Sequence, residues 1–503
     1  MPSEAANPAP KRKPLLAILI WAALIACLYL PTLATPFDFI DDGNLVYPSR
    51  EATLAGKVDY YWKSVVANYE DLGPFRPTLW AHWRLEAELF KANPHVWRAA
   101  RWVFTFLATA AFLALMVELR FAWPAALFTT ALAMWNPYRN EIWTSLTLSE
   151  GVAMPYVVMA LVCALRAARS EKAWRWDVAG LLCMLVALGC KNTFAAVIPA
   201  QLFLRVAPDG RDVVAGLRKH WLAAGVLCCA LLLPVGHYLY FVTHWHAGQY
   251  APSPNLWKQL KGMLSAEKGA VSSDFMAAGY VLALVAVAAN GGLGAAARKV
   301  WEEYRAPLIG GAMLFVLGVG IYMKIDGICG RYSIPGVWGL DMWIGVVLSL
   351  LIAQPKSAWK SVAAAALCAG LVAVAVSDVN KQVQFAARAK LLWQVVHYVE
   401  STAPAEKSIA WIAVPDDIQE GIHIAWHLDE RGYPQNISLF KADGTPQPRH
   451  ELPANNEPLE FAITENAGPV PLPGNWKHVR DFTQPRWFGE RSFTLVYWTK
   501  EPQ

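Results

Sequence analysis

The amino-acid sequence predicts an α-helical polytopic membrane protein with a C-terminal soluble α/β domain. Its 503 residues are 55% hydrophobic and only 17% charged, and the mean hydropathy of +0.28 is positive. Long apolar runs recur over residues 14 to 377, whereas the remainder is more polar and rich in proline. Soluble domains rarely carry so large an apolar excess, which makes a membrane protein the default class.

A window of about 19 residues finds about eleven apolar segments, which we predict to be transmembrane helices. The first follows the basic cluster Lys11–Lys13 and is too long for the core of a cleaved signal peptide. We therefore expect an uncleaved first helix. The segments are residues 14 to 34, 99 to 118, 121 to 136, 149 to 168, 176 to 190, 193 to 207, 221 to 243, 273 to 291, 306 to 324, 333 to 353 and 359 to 377.

The lysines and arginines of alternate loops predict the orientation, because short cytoplasmic loops are enriched in them. With residues 1 to 13 in the cytoplasm, the basic groups Arg166–Arg175, Arg205–Lys219, Arg298–Arg305 and Lys356–Lys360 also lie there. The first outer loop, residues 35 to 98, and the tail then lie outside. An odd number of helices places the two termini on opposite sides. The small basic N-terminus favours a bacterial inner membrane.

The three predicted regions are a cytoplasmic N-terminus (1 to 13), a transmembrane domain (14 to 377) and an extracytoplasmic, periplasmic α/β domain (378 to 503). In the last, a helical pattern over residues 379 to 401 precedes strand-like stretches near 409 to 414, 437 to 440, 459 to 463 and 493 to 498. The net charge of the whole chain, +5, is small, and the lysines and arginines of the chain lie in short loops. We therefore expect the lipid bilayer as a partner and no nucleic acid.

Two adjacent carboxylates, Asp41 and Asp42, follow the first predicted helix in the stretch PFDFIDDGNLVYPS. Partial desolvation at the membrane surface suits a positioned base or a metal ligand. The alternative is a solvated turn, since Asp-Asp-Gly-Asn is good turn chemistry. A further acid, Asp341, lies inside the tenth segment, so we expect it to face the helix bundle or a cavity.

Five stretches in chain order resemble GT-C glycosyltransferases related to the protein O-mannosyltransferases, over roughly residues 14 to 353. The first contains the Asp-Asp pair, and the second contains an Arg-Pro and an Asn-Pro motif. The third is similar to the family's His-Pro turn, with Asn136 and Arg139 in place of histidines. In the fourth, Asn192 replaces an acid after Lys191. The stretches are PFDFIDDGNLVYPS, FRPTLWAHWRLEAELFKANPHVWRAARWVFTFL, ALAMWNPYRNEIWTSL, ALGCKNTFAAVIPAQLFL and CGRYSIPGVWGL.

The resemblance implies roles for individual residues. Asp41 or Asp42 would activate the acceptor hydroxyl, and the sequence does not separate the two. Cations would meet the phosphate of the donor, where leaving-group charge develops. Lys191 and Arg331 could equally be snorkelling at helix ends. The implied substrate-binding residues are Arg76, Glu141, Lys191, Arg331 and Tyr332. A divalent metal ion, Mg²⁺ or Mn²⁺, is a possible cofactor, with Asp42 and Glu141 as possible ligands.

The implied reaction moves a sugar from a polyprenyl-phosphate carrier to a hydroxyl of a glycan, lipid or protein, with inversion. A site facing away from the cytoplasm has no ready supply of nucleotide sugars, which favours a lipid-linked donor. One alternative is a membrane transporter or lipid flippase, which predicts paired charges deep in several helices and inverted repeats. Another is a non-catalytic scaffold that recruits a partner through its outer domain.

Overall fold

The computed structural model describes residues 15 to 38, 76 to 91, 93 to 137, 139 to 244, 274 to 289, 292 to 321, 334 to 403, 408 to 412, 437 to 441, 443 to 446, 459 to 465, 470 to 483 and 494 to 501, with a few single positions between. Within these ranges the chain forms a large helical bundle followed by a small sheet domain.

The helices follow one another along the chain with short connections. A 3₁₀ segment, Cys27–Ala34, extends α1, and another, Asn192–Val197, joins α7 to α8. The helices are α1 Leu15–Ala26, α2 Pro77–Phe90, α3 Pro94–Glu118, α4 Trp123–Trp135, α5 Glu141–Thr144, α6 Ser149–Arg169, α7 Ala173–Cys190, α8 Ile198–Val206, α9 Val213–Lys219, α10 Trp221–His244, α11 Asp274–Ala289, α12 Gly292–Glu303, α13 Arg305–Ile321, α14 Gly336–Ala353 and α15 Ala358–Thr402.

Each of the eleven predicted segments coincides with one of these helical stretches. Among the described residues, six helices are long and apolar enough to cross a membrane, or seven when the pair α12 and α13, bent by 84°, is counted as one span. The prediction of a multi-pass α-helical membrane protein is confirmed. The count of eleven crossings stays a prediction, because several helices are too short to pass this test.

Local sequence explains several helix starts. Asn93 precedes α3, and its side chain accepts hydrogen bonds from the backbone amides of His95 and Val96 at 3.1 and 3.4 Å. Pro94 occupies the first helical position, where its missing N–H costs nothing. Ser357 caps α15 in the same way through the amide of Lys360, at 3.2 Å. The Asn-Pro motif therefore fixes where α3 begins.

The bundle is held by close helix packing. Gly311 on α13 and Gly339 on α14 let the two backbones meet, because a Cβ on Gly339 would lie 2.1 Å from the carbonyl oxygen of Gly311. Helix α1 is tied to its neighbours by two indoles. Trp102 on α3 and Trp135 on α4 each donate a hydrogen bond, at 3.0 Å, to the carbonyl oxygens of Ala26 and Ile25 respectively.

Helix α15 joins the two domains without a break. Its 45 residues correspond to about 67 Å at 1.5 Å per residue, so it extends well beyond a bilayer core. The predicted domain boundary between residues 377 and 378 falls inside this continuous helix. Its last turns, from Leu391 to Val399, pack on one face of the sheet with Trp411, Ile463 and Tyr497.

The sheet has five strands in the order β2-β1-β3-β5-β4. Strand β1 runs parallel to both β2 and β3, whereas β5 is antiparallel to β3 and β4. The predicted α/β class of the tail is therefore confirmed. The strands are β1 Ser408–Ile412, β2 Ile437–Phe440, β3 Leu459–Glu465, β4 Trp476–Thr483 and β5 Thr494–Lys500.

Charged side chains collect at the two ends of the bundle. At one end, Arg166 and Arg169 at the end of α6 contact Glu118 at the end of α3. At the other end, α3 begins near Arg98 and α6 begins near Glu150. We call the first end the basic face, and the second end contains the candidate site.

Candidate functional site

The predicted site residues fall into two groups. Asp41, Asp42, Arg331 and Tyr332 lie outside the described residues, whereas Arg76, Glu141 and Lys191 lie within them. The described part of the chain brings polar side chains, nine of them buried, to one end of the bundle, at the ends of α3, α6, α7 and α14, in the turn before α5, before α2 and in the middle of α15. We call these residues the polar cluster: Arg76, Arg98, Arg101, Arg139, Asn140, Glu150, Lys191, Asp341, Asp378 and Gln382.

Lys191 lies directly after the last residue of α7 and is 5% exposed. Its Nζ donates to Oε1 of Glu150 in the first turn of α6. The hydroxyl of Ser149 donates to the other carboxylate oxygen of Glu150 at 3.0 Å. The lysine is therefore held inside the protein beside an acid, which differs from a lysine that extends along a helix end to the membrane surface.

Arg98 and Arg101 lie on α3 one turn apart and are 1% and 3% exposed. Their guanidinium groups donate to the backbone carbonyl oxygens of Thr144, the last residue of α5, and Leu146, in the connection to α6. Arg98 also donates from Nη2 to the carbonyl oxygen of Pro36 at 2.9 Å. This contact fixes the start of the predicted first outer loop against α3.

The segment around Pro36 is enclosed by α15 as well. The guanidinium carbon of Arg98 lies 5.1 Å from the ring centre of Phe385. Phe37 is 2% exposed, and its ring contacts that of Trp393 edge to face at 6.3 Å. The chain that leads to Asp41 therefore leaves from a buried position between α3 and α15.

Arg76 precedes α2 and is half-buried. Helix α2 packs directly on the end of α7, since a Cβ on Gly189 would lie 2.0 Å from the hydroxyl oxygen of Thr78. Thr78 follows Arg76 by two residues, and Gly189 precedes Lys191 by two. The structure therefore brings Arg76 and Lys191 into one region, and their role in binding stays a prediction.

The remaining cluster residues join the turn between α4 and α6 to α14 and α15. Arg139 donates from Nη1 and Nη2 to the two carboxylate oxygens of Asp341, at 2.6 and 3.3 Å. The prediction that Asp341 faces the bundle interior is confirmed, because its side chain is 0% exposed. Asn140 donates to Asp378 on α15 at 2.6 Å, and Gln382 donates to the other carboxylate oxygen at 2.9 Å.

Glu141 is the first residue of the four-residue helix α5 and is exposed to solvent. In the described ranges, no group of three or more histidine, cysteine, aspartate or glutamate side chains is placed to hold a metal ion. Of the two predicted metal ligands, Asp42 lies outside those ranges, so the metal site stays a prediction.

The arrangement suits an anionic group. Four arginines and one lysine lie at one end of the bundle with three carboxylates, and nine of the ten cluster residues are at most 5% exposed. In such a water-poor region a fixed cation stabilises a negative charge more strongly than it would in water. A phosphate group next to Arg76 and Lys191 would receive that stabilisation.

Sequence reasoning does not single out Arg98, Arg101, Glu150, Asn140, Asp378 or Gln382. A signal for the first two was available. Arg98 and Arg101 are three residues apart, which places them on one face of an otherwise apolar helix, and charges in such positions are rare and functional by default. Glu150 shows the same signal at the start of the fourth apolar segment.

Comparison with known proteins supports the fold. No protein-family model matches the chain, and no curated protein matches it in sequence. The crystal structure of ArnT from Cupriavidus metallidurans in the apo state matches with a TM-score of 0.52 and 15% identity, covering 96% of this chain and 97% of that one. The structure of the same protein bound to undecaprenyl phosphate matches with a TM-score of 0.49 and 14% identity, covering 96% and 98%.

The match to the apo structure extends over both the bundle and the sheet domain. The predicted fold, a polytopic helical membrane domain followed by a small α/β domain, is therefore confirmed, and it is the fold of ArnT. At 15% identity the match establishes the fold alone.

Proposed function

We propose that this protein is a GT-C glycosyltransferase that moves a sugar from a polyprenyl-phosphate carrier to a hydroxyl acceptor at the outer face of a bacterial inner membrane. Three lines of support combine. The chain has the fold of ArnT, five stretches in chain order resemble the class, and the polar cluster concentrates buried cations at one end of the bundle.

One observation carries the proposal. Arg98 bonds the carbonyl oxygen of Pro36 at 2.9 Å. One turn along α3, Arg101 lies against Gly151, since a Cβ there would be 3.2 Å from its Nη1, and the neighbouring Glu150 pairs with Lys191. The loop that contains the two proposed acids therefore begins beside the proposed phosphate-binding cations. A transferase needs this combination, because a base and leaving-group cations must act on the same sugar.

The proposed base is Asp41 or Asp42. Asp41 follows Asp38 by three residues, a stretch that spans at most about 11 Å when fully extended, and Asp38 itself is 3% exposed. In this proposal a carboxylate from this loop meets a sugar bound at the cluster. In the proposed step it accepts the proton of the acceptor hydroxyl as that oxygen attacks the anomeric carbon.

The leaving group is the polyprenyl phosphate. The bond between the anomeric carbon and the phosphate oxygen breaks as the new glycosidic bond forms, so the configuration inverts. Negative charge grows on the departing phosphate, and Lys191, Arg76 and Arg331 are the proposed cations that stabilise it. Glu141 and Tyr332 are proposed contacts to the sugar or the acceptor.

A divalent ion, Mg²⁺ or Mn²⁺, bound by Asp42 and Glu141 belongs to the same proposal, and no step above depends on it. Loss of transfer after chelation, restored by either ion, would support it. Full activity in excess chelator would remove the ion from the proposal.

The orientation is also proposed: a cytoplasmic N-terminus and a periplasmic sheet domain. The described buried ion pairs lie toward the helix ends rather than along a path through the bundle. This arrangement favours a transferase over a transporter or flippase.

The decisive experiment measures sugar transfer by the purified full-length protein in proteoliposomes, from labelled polyprenyl-phosphate sugars to lipid, glycan and protein acceptors. Asp41→Asn/Asp42→Asn should abolish transfer while leaving the unfolding temperature unchanged. Glu70→Gln/Asp71→Asn is the matched control, because it removes two adjacent carboxylates from the same loop. Wild-type transfer by the first double variant would reject the assigned base, and absence of transfer to all acceptors by the wild type would reject the function.

A further inference from the structure

A cleft lies at the basic face, away from the polar cluster. It has a volume of about 380 Å³ and opens between the first turns of α7, the end of α8 and the start of α10. Its polar lining consists of Asp177, Gln201, Arg205, Lys219 and His220, with the indole of Trp176 beside them. Asp177, which lines the cleft, precedes Lys191 by 14 residues along α7, or about 21 Å.

Two buried side chains of the cleft have polar atoms without a partner among the described residues. Arg205 is 5% exposed, and it donates from Nε and Nη2 to Asp177 at 2.6 and 3.0 Å, which leaves Nη1 without an acceptor. Gln201 is 3% exposed, and it donates from Nε2 to the carbonyl oxygen of Gly180 at 3.4 Å, which leaves Oε1 without a donor. Buried polar atoms of this kind normally have partners.

The two atoms without a partner, Nη1 of Arg205 and Oε1 of Gln201, indicate the chemistry of a ligand that would bind here. One part of it must accept a hydrogen bond from a guanidinium group, as a phosphate oxygen does. Another part must donate to an amide oxygen, as a hydroxyl does. A phosphate and a hydroxyl a few atoms apart occur together in the headgroup of phosphatidylglycerol.

The electrostatics of the cleft favour an anion. Arg205 and Lys219 are cations, and Asp177 is the acid that faces them. Partial burial lowers the pKa of His220, the two cations lower it further, and Asp177 opposes them. The histidine is therefore neutral at pH 7, and the polar lining has a net charge of about +1.

The remaining wall of the cleft is apolar and continuous with the outside of the bundle. Leu181, Leu202 and Leu227 line it. Leu222 and Val226 also line it, and they are 63% and 51% exposed on the outer surface of α10. In a bilayer this surface contacts acyl chains, so a molecule whose headgroup occupies the polar end would lay its chains along α10.

We propose that this cleft binds the headgroup of an anionic glycerophospholipid. The phosphate meets Arg205 and Lys219, the headgroup hydroxyl donates to Gln201, and the chains follow the leucine and valine wall. No group of the proposed transfer reaction takes part, so the site does not depend on that function.

The test is lipid retention by the full-length protein, measured by native mass spectrometry after reconstitution with equal amounts of phosphatidylglycerol and phosphatidylcholine. Phosphatidylglycerol should be retained preferentially. Lys219→Gln should weaken phosphatidylglycerol retention about fivefold, because one lysine or arginine near an anionic lipid surface strengthens binding by about that factor. Arg218→Gln is the matched control, because Arg218 is the neighbouring exposed cation and does not line the cleft.

A second variant tests the hydroxyl contact. Gln201→Met should reduce the preference for phosphatidylglycerol over phosphatidic acid, which lacks the headgroup hydroxyl, while both remain favoured over phosphatidylcholine. Equal retention of phosphatidylglycerol and phosphatidylcholine, or equal effects of Lys219→Gln and Arg218→Gln, would overturn the proposal. Displacement of the lipid by millimolar glycerol 3-phosphate would overturn the role of the chains, because a soluble phosphate would then suffice.

Discussion

Arg139 and Asp341 are 202 residues apart in the chain and form a two-bond ion pair inside the bundle, with Nη1 and Oδ2 only 2.6 Å apart. Both side chains are at most 1% exposed. The pair joins the turn after α4 to the second turn of α14. Glu141 lies two residues after Arg139, beside the same turn. The turn beside a proposed substrate contact is therefore held in place by charge.

Breaking this pair from one side should destabilise the protein strongly. Arg139→Met leaves the carboxylate of Asp341 buried without its counter-charge, which typically costs about 3 to 5 kcal/mol. Thermal unfolding of the purified protein in detergent measures the loss. Arg139→Met/Asp341→Leu should regain most of it, since no isolated charge remains.

The control for this pair is Arg120→Met, which removes the nearer of the two arginines that pair with Asp209. Those two side chains are 54% and 56% exposed and 3.4 Å apart, and an exposed pair contributes at most about 1 kcal/mol. Equal destabilisation by Arg139→Met and Arg120→Met would show that the buried pair has no special role.

Lys191 should matter for transfer more than for folding. Lys191→Met removes a proposed phosphate cation, and loss of one such group typically lowers kcat about 10²- to 10³-fold. Glu150→Gln keeps the cation and removes only its acidic partner, so its activity should fall much less. Steady-state transfer assays on both variants, with unfolding temperatures alongside, make the comparison. A larger kcat loss for Glu150→Gln would assign the chemistry to the acid.

The contact between Asn140 and Asp378 should couple the turn to helix α15. Asn140→Ala removes the donor at 2.6 Å and leaves Asp378 with Gln382, so the turn should open more often. Hydrogen–deuterium exchange of residues 139 to 147 should increase, while exchange in the sheet strands stays unchanged. Unaltered exchange in that turn would mean that the contact does not hold it.

Lowering the pH should strengthen lipid binding in the basic-face cleft. His220 has a lowered pKa in the free protein, and a bound phosphate would raise it by placing an anion nearby. Protonation and binding then favour each other, so phosphatidylglycerol retention should rise as the pH falls from 7.5 toward 5.5. His220→Gln should remove this dependence. The same rise in the variant would locate the titrating group elsewhere.

Helix positions were predictable from a single sequence because apolar length is a local property of the chain. Which side chain a buried charge pairs with is not a local property of the chain. Nothing near Arg139 in the sequence indicates that Asp341 is its partner, so the sequence predicts that Asp341 is buried without predicting what it bonds. Lys191 and Arg76 could be placed together only through the family resemblance, whereas Arg98 and Arg101 show their helical spacing directly.

The sheet domain illustrates another limit. The sequence predicts four strands and misses β4, Trp476–Thr483, in which Phe482 is the only fully buried residue. An edge strand pairs on one side and carries charges that prevent further pairing, so its alternating pattern is weak. Strand β1 is buried at all five positions and is easily recognised as a short apolar run.

Because α15 is one continuous helix, its geometry fixes the rotation of the sheet domain relative to the helical bundle. Inserting one residue after Gln382 would rotate everything beyond it by about 100° and raise it by about 1.5 Å, moving Trp393 away from Phe37. Four inserted residues would nearly complete a turn and bring the same side back, one pitch higher. The number of residues between Asp378 and Leu391 thus sets both the height and the rotation of the sheet domain relative to the bundle.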